Sequence, residues 1–137
     1  MGEVEGGENV LCRMYSACIG GHVFNSVECE CAAKMAAAQS AIQKEGRGVI
    51  VYLDQEGKGN GHLALIESLK YKKEFGQAAA YEKAGFVADA RSFRPAAEIL
   101  AQLKVASIVL LTNNSAKAGD LRQAGIIVAE TRHVTLA

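Results

Sequence analysis

The 137-residue chain is short of most features that would place it outside the globular class. It has a single proline, and half of its residues are apolar, so disorder is excluded. It has no excess of either charge, because fifteen basic and fifteen acidic residues cancel. That balance argues against the sequence-independent grip on DNA or RNA that a strongly basic domain exerts. No apolar run approaches the roughly 20 residues needed to cross a bilayer. The opening MGEVEGGEN has no apolar stretch of the kind a signal peptide carries, and its sixth residue is not the Ser or Thr of a myristoylation site. A cytoplasmic protein with no nucleic-acid or membrane partner is the expectation. Its four cysteines are then reduced thiols, which point to metal or catalysis before disulfides.

There is also no internal repeat and no linker. Residues 1–9 read as a flexible arm, and 10–137 as one domain. VLCRMYS (10–16) is strand-like, and the glycines at 20 and 21 open a loop. Alanines from Cys31 to Glu45, with Met35 and Ile42, make a helix closed by Gly46. GVIVYLD (48–54) has the continuous β-branched pattern of a buried, parallel strand. After the loop QEGKGNG, Leu63, Ile66 and Leu69 recur at helical spacing, and 77–85 gives a second, short helix. Ser92 is placed to cap a helix carrying Phe93, Ala96, Leu100 and Leu103, with Pro95 tolerated in its first turn. SIVLLT (107–112) is another buried strand. Asn113, Asn114 and Ser115 cap a helix ended by Gly125, and IIVAET (126–131) is the last strand. Strand and helix alternate, so the predicted class is α/β, a single domain with a mainly parallel or mixed sheet flanked by helices.

Cys18, Cys29 and Cys31 form C-x10-C-x-C across a glycine-containing loop that ends at a helix start. Three thiolates suit Zn²⁺ and leave a fourth position for water. The same spacing also fits unrelated core thiols, or a structural site closed by a fourth ligand, for which His22 is the nearest candidate. Cys12, on an apolar strand, reads as a core thiol.

Gln55-Glu56-Gly57-Lys58-Gly59-Asn60-Gly61 leaves a buried strand and opens a helix. Glycines at alternate positions and unpaired helix N–H groups suit a phosphate, although a plain strand–helix turn has the same signature. Thr112-Asn113-Asn114-Ser115 is a second such turn, with Lys117 one turn into its helix. Both lie at the C-terminal ends of strands, where open α/β sheets place ligands. Asp89 and Arg91, two apart on an extended segment, can point the same way as a functional pair or as an ordinary surface ion pair.

In combination these pieces resemble GTP cyclohydrolase II, the zinc enzyme that opens the guanine imidazole ring. The likeness runs in order through Arg13…Ser16…Cys18, Cys29-Glu30-Cys31, Glu45-Gly46-Arg47-Gly48, Gln55-Glu56-Gly57, Gly85-Phe86…Ala88-Asp89…Arg91 and Leu110-Leu111-Thr112-Asn113-Asn114…Lys117, over about residues 10 to 131. The resemblance implies zinc on Cys18, Cys29 and Cys31, with Asp89 as proton acceptor and Arg91 acting at the α-phosphate. It makes Arg13, Ser16, Glu56, Gly57, Lys58, Thr112 and Lys117 nucleotide contacts. It further implies release of formate and pyrophosphate, Mg²⁺ assisting at the phosphates, and a homodimer. A guanidinium with a pKa above about 12 serves Arg91 as a bidentate clamp rather than as a nucleophile.

The departures are informative. The family's R-V-H-S-E-C is here Arg13-Met14-Tyr15-Ser16-Ala17-Cys18, and its L-R-C-D-C-G is Val27-Glu28-Cys29-Glu30-Cys31-Ala32. Its R-Q-E-G-R is Asp54-Gln55-Glu56-Gly57-Lys58, and a catalytic tyrosine falls on Leu69 unless a two-residue slip lets Tyr71 serve. The family's longer C-terminal tail has no counterpart after the last matched strand. The sequence thus leads to a zinc-dependent hydrolase of a purine nucleotide, running the full reaction or stopping at a ring-opened product. The alternatives are a related hydrolase of a pyrimidine nucleotide or another base, and a nucleotide-binding module without turnover.

Overall fold

A computed structural model describes residues 1–114 and 116–134. Its elements run β1 (Val10–Ser16), α1 (Ile19–His22), α2 (Cys31–Glu45), β2 (Gly48–Leu53), α3 (His62–Lys83), α4 (Arg94–Gln102), β3 (Ile108–Leu111), α5 (Ala116–Gln123) and β4 (Val128–Arg132). The chain forms two compact units. One comprises 1–15, 20–53 and 93–137, and the other 16–19 and 54–92. No described helix is long and apolar enough to cross a membrane.

The first unit carries a four-stranded sheet in the order β2-β1-β3-β4. β1 runs parallel to β3, with Cys12 beside Leu110, and β3 runs parallel to β4 through an irregularity between Ile108 and Val109. Gly48 lies against the Leu11 carbonyl and the Tyr15 ring stacks on Tyr52, so β2 climbs in the same direction as β1. The sheet is therefore parallel, as the buried β-branched runs predict. A Cβ at Gly48 would come within 2.9 Å of the Leu11 oxygen and 2.7 Å of Ile42, so only glycine allows this approach.

Helices cover both faces, and each face has its own core. Cys12, Met14, Leu53, Phe93, Leu100, Leu110 and Leu121 pack together, while Leu11, Ala38, Ile42, Val109 and Leu111 form a second cluster. Alternate residues of β1 and β3 thus point into different cores, as the period of two requires. α2 spans the predicted residues and ends at Gly46, which takes the left-handed conformation of a helix stop. Residues 1–9, read as a loose arm, carry hydrogen bonds in this unit. Gly48 N–H donates to the Met1 carbonyl at 3.0 Å, and Gly6 N–H donates to the Lys104 carbonyl at 2.8 Å.

Three local expectations are revised. The glycines at 20 and 21 lie in the one-turn helix α1 rather than in an open loop. Phe93, not Ser92, occupies the cap position of α4, because its ring is buried in the sheet core and fixes where the helix starts. Ser92 directs its N–H to Gln55 Oε1 at 3.0 Å instead. β4 begins at Val128, two residues later than predicted. The expected cap at Ser115 lies outside the described residues, but Asn114 Oδ1 does accept the Ala116 N–H at 3.0 Å.

The second unit holds a short 3₁₀ turn at Gly57–Gly59 and the long α3. Gly76, with φ 76° and ψ 169°, breaks α3 into the two helices the sequence suggested. What is buried there is small or polar: Gly57, Ala64, Ser68, Ala80 and the large exception Tyr81. Leu63, Ile66 and Leu69, which share the helical spacing, are exposed.

Candidate functional site

The sulfurs of Cys18, Cys29 and Cys31 lie within 4.8 Å of one another, and each residue is half-buried. Among the described residues this is the one cluster of three or more potential metal ligands. Thiolates at zinc, with Zn–S near 2.3 Å in a tetrahedron, stand roughly 3.8 Å apart, so three sulfurs within 4.8 Å of one another could hold that ion after a small inward shift. Cys31 is the first residue of α2, where the helix dipole favours a thiolate. Glu30, the acid next to it, pairs with Lys34 at 2.8 Å, which offsets a negative charge beside the Cys31 sulfur.

Cys12 stands apart. It is fully buried on β1, and burial pushes its thiol up to about 12. His22 is also outside the cluster. Its imidazole hydrogen-bonds the Tyr15 hydroxyl, and the two rings meet edge-to-face at 4.8 Å.

In the sheet-bearing unit, three predicted nucleotide contacts lie at or near the C-terminal ends of β1 and β3. Arg13 is buried and donates through Nη1 to the Leu111 carbonyl at 2.8 Å, leaving its Nε without a partner. Burial lowers its pKa, while Tyr15 and Cys31 oppose that change. Thr112 Oγ1 accepts the Asn114 N–H at 3.0 Å, which shapes the turn into α5. Lys117, one turn on, is buried with its ammonium 5.1 Å from the Phe93 ring.

The second unit gathers the remaining candidates. Gln55 links Ser16 to Ser92, its amide donating to Ser16 Oγ at 3.5 Å and its oxygen accepting Ser92 N–H. Glu56 accepts the Ile19 N–H at 2.8 Å, which holds the segment leading from Cys18. The glycine loop is set by consecutive positive φ values at Gly57, Lys58 and Gly59. A Cβ at Gly59 would lie 2.7 Å from the Ala90 carbonyl carbon, and Ala90 N–H donates to the Lys58 carbonyl at 2.8 Å. The loop is thereby fastened to the 88–91 segment. There Asp89 takes Arg91 in a bidentate grip, Oδ1 accepting both the backbone N–H at 3.1 Å and Nε at 2.8 Å. Arg91 holds the Asp89 carboxyl below its ordinary range, and Lys58 adds to the effect. Asp89 is therefore ionised at neutral pH, and it orients the guanidinium.

Leu69 is 43% exposed, and Tyr71, the other expected site for a hydroxyl, is half-buried. The tyrosine that the structure brings to the interior of this unit is Tyr81, which is fully buried with its hydroxyl beside Ser68. Burial pushes its phenol pKa up; Ser68 and Arg91 oppose this, while Glu56 and Cys18 add to it. Nothing in the sequence reading singled it out. Its only signal is that it is the one aromatic in the alanine-rich stretch QAAAYEKAG.

The sequence pattern of GTP cyclohydrolase II matches residues 1–133. The riboflavin biosynthesis protein RibBA of Bacillus cereus is 41% identical over 130 residues, which cover 94% of this chain and 33% of that protein. RibBA of Bacillus mycoides is 40% identical over the same shares. GTP cyclohydrolase-2 of Actinobacillus succinogenes is 40% identical over 131 residues, covering 95% of this chain and 60% of that protein. The chain thus spans a third of the RibBA relatives' length and three-fifths of the cyclohydrolase's.

Proposed function

The chain belongs to the GTP cyclohydrolase II family, and from that premise we propose that it hydrolyses the ring of a purine nucleotide, GTP or a close relative. The observation that carries the reading is the gathering of Cys18, Cys29 and Cys31 within 4.8 Å. These thiols would hold Zn²⁺. When bound, zinc acts as a Lewis acid that makes water nucleophilic at neutral pH.

The chain's own residues supply binding and orientation. Arg91, aligned by Asp89, clamps the α-phosphate, while Arg13 and Lys117 neutralise the polyphosphate with Mg²⁺ assisting. Gly57 and Lys58 of the glycine loop join Ser16, Glu56 and Thr112 as the remaining nucleotide contacts. Asp89 accepts the proton released during attack at C8, and formate and pyrophosphate leave. The active form is a homodimer.

The test is to incubate the zinc-loaded protein with a panel of purine and pyrimidine nucleotides and to assay formate, pyrophosphate and ring absorbance separately. Ring opening of GTP or a related purine nucleotide is the expected result, and formate release distinguishes a full reaction from a truncated one. Turnover of pyrimidines alone would replace the substrate class. Nucleotide binding without any product would make the protein a binding module.

A further inference from the structure

β4 is the last strand on its side of the sheet, and after Val128 all of its residues are exposed. Two bonds fix which way its backbone faces. Thr112 N–H donates to the Arg132 carbonyl at 2.9 Å, and Val134 N–H donates to Asn113 Oδ1 at 2.9 Å, both towards β3 and the turn that follows it. In a strand the N–H and C=O of one residue point to the same side, and those of its neighbours point to the other. Thr131 and His133 therefore turn their backbone donors and acceptors outward. The opposite edge differs at its start, where Met1 and Gly48 exchange both backbone bonds at 3.0 Å.

An open edge is a template for a further strand, and its side chains decide which strand fits. Arg132 Nε lies 3.5 Å from Glu130 Oε1, so the two share a face, and both are about half-exposed. Turned end for end about Thr131, this run is complementary to itself. Glu130 falls opposite Arg132 of a second copy, Arg132 opposite its Glu130, and Thr131 opposite its own counterpart. Because Thr131 faces outward, the central pair is the hydrogen-bonded kind. The flanking charged pairs are then the closer, non-hydrogen-bonded kind, with Cα atoms about 4.5 Å apart. Opposite charges so placed attract, whereas an edge of one sign would repel its own copy. The irregularity in the β3–β4 ladder lies before Glu130, and from there Glu130, Thr131 and Arg132 run in register with Val109, Leu110 and Leu111.

We propose that β4 is the dimerisation edge of this protein. The β4 of a second copy adds antiparallel to it, centred on Thr131, and joins the two four-stranded sheets into one. The inference deepens the homodimer of the reading above by naming its surface, and it does not depend on the substrate.

Sedimentation velocity of the full chain across a concentration series tests it. Thr131→Pro removes the outward N–H without taking a bond from β3, and it should be a monomer where the wild type is a dimer. Glu130→Arg and Arg132→Glu each set like charges opposite one another and should weaken the dimer about tenfold. Both exchanges in one chain should restore it, and the two single variants should pair with each other when mixed. Circular dichroism checks that each variant folds; if Thr131→Pro does not, the charge series decides alone. A wild-type dimer that the single charge variants leave unchanged would overturn the β4 edge and leave the homodimer standing through another surface. A wild type that stays monomeric throughout would overturn both, with the nucleotide panel unaffected.

Discussion

Along β3 every residue from Ile108 to Leu111 is buried, and successive side chains enter two different cores. Along α3, Leu63, Ile66, Leu69 and Phe75 are all more than 40% exposed, and the buried positions are Ala64, Ser68, Ala80 and Tyr81. The sheet-bearing unit is held by apolar area and close packing. The α3 unit is held largely by directed hydrogen bonds, such as Gln55 to Ser16 and Ser92, Glu56 to Ile19, and Asp89 to Arg91. Apolar burial is non-directional and tolerates repacking, whereas hydrogen-bonded side chains hold particular atoms at particular places. The first arrangement suits a scaffold and the second suits ligand recognition. The same contrast exists within the cysteines: Cys12 is sealed in the core, while Cys18, Cys29 and Cys31 are half-buried and mutually close.

The cysteines offer the largest effect. Cys29→Ser should lose nearly all of the zinc, about one ion per chain, and Cys12→Ser should retain it. Metal analysis of the two purified variants decides, and equal zinc in both would break the distinction. A chelator should then expose Cys18, Cys29 and Cys31 to a thiol reagent at pH 8. Cys12, with its thiol pushed up to about 12, should stay unreacted until the protein unfolds.

Next comes stability. Leu110→Ala, in the core, should cost about 2–5 kcal/mol, and Leu69→Ala on the exposed face of α3 less than about 1 kcal/mol. Urea unfolding measures both; a comparable loss from Leu69 would mean that the α3 face is covered in solution.

For ligand recognition, Arg91→Ala and Lys117→Ala should each weaken a nucleotide by about 10–100-fold, the scale of a charged hydrogen bond, and the corresponding nucleoside far less. Titration calorimetry with both ligands checks this. Parallel losses would place these cations at the base or sugar, or in support of the fold.

The smallest effect is the Asp89–Arg91 pair. Asp89 has a folded pKa below its unfolded value of about 3.9. Its contribution to stability is therefore complete above that value and is lost as the pH falls through the folded one. The carboxylate is 42% exposed, so Asp89→Asn should cost under about 1 kcal/mol near pH 7. The difference from wild type should close as the pH falls below the ordinary carboxylate range in acid unfolding curves. A difference that does not shrink at all with falling pH would assign the loss to something other than the charge.

Local rules made much of the fold legible. Continuous β-branched runs announced β2 and β3, and Gly46 and Gly125 marked helix ends through the positive φ that both adopt. C-x10-C-x-C was legible as a metal-type spacing, and Asp89 with Arg91 as a pair on one side of an extended segment. These signals are carried by near neighbours in sequence, whose geometry the backbone's period and steric limits largely fix.

Only the tertiary structure decided the rest. It put Phe93 rather than Ser92 at the start of α4, because a buried ring outweighs a hydroxyl cap worth about 1 kcal/mol. It left the regular stripe of Leu63, Ile66 and Leu69 exposed, because periodicity states which residues share a face and not whether anything covers it. It buried Tyr81 beside Ser68 in the α3 unit. Burial and hydrogen-bond satisfaction depend on which distant segments meet, and local sequence pattern does not encode that meeting.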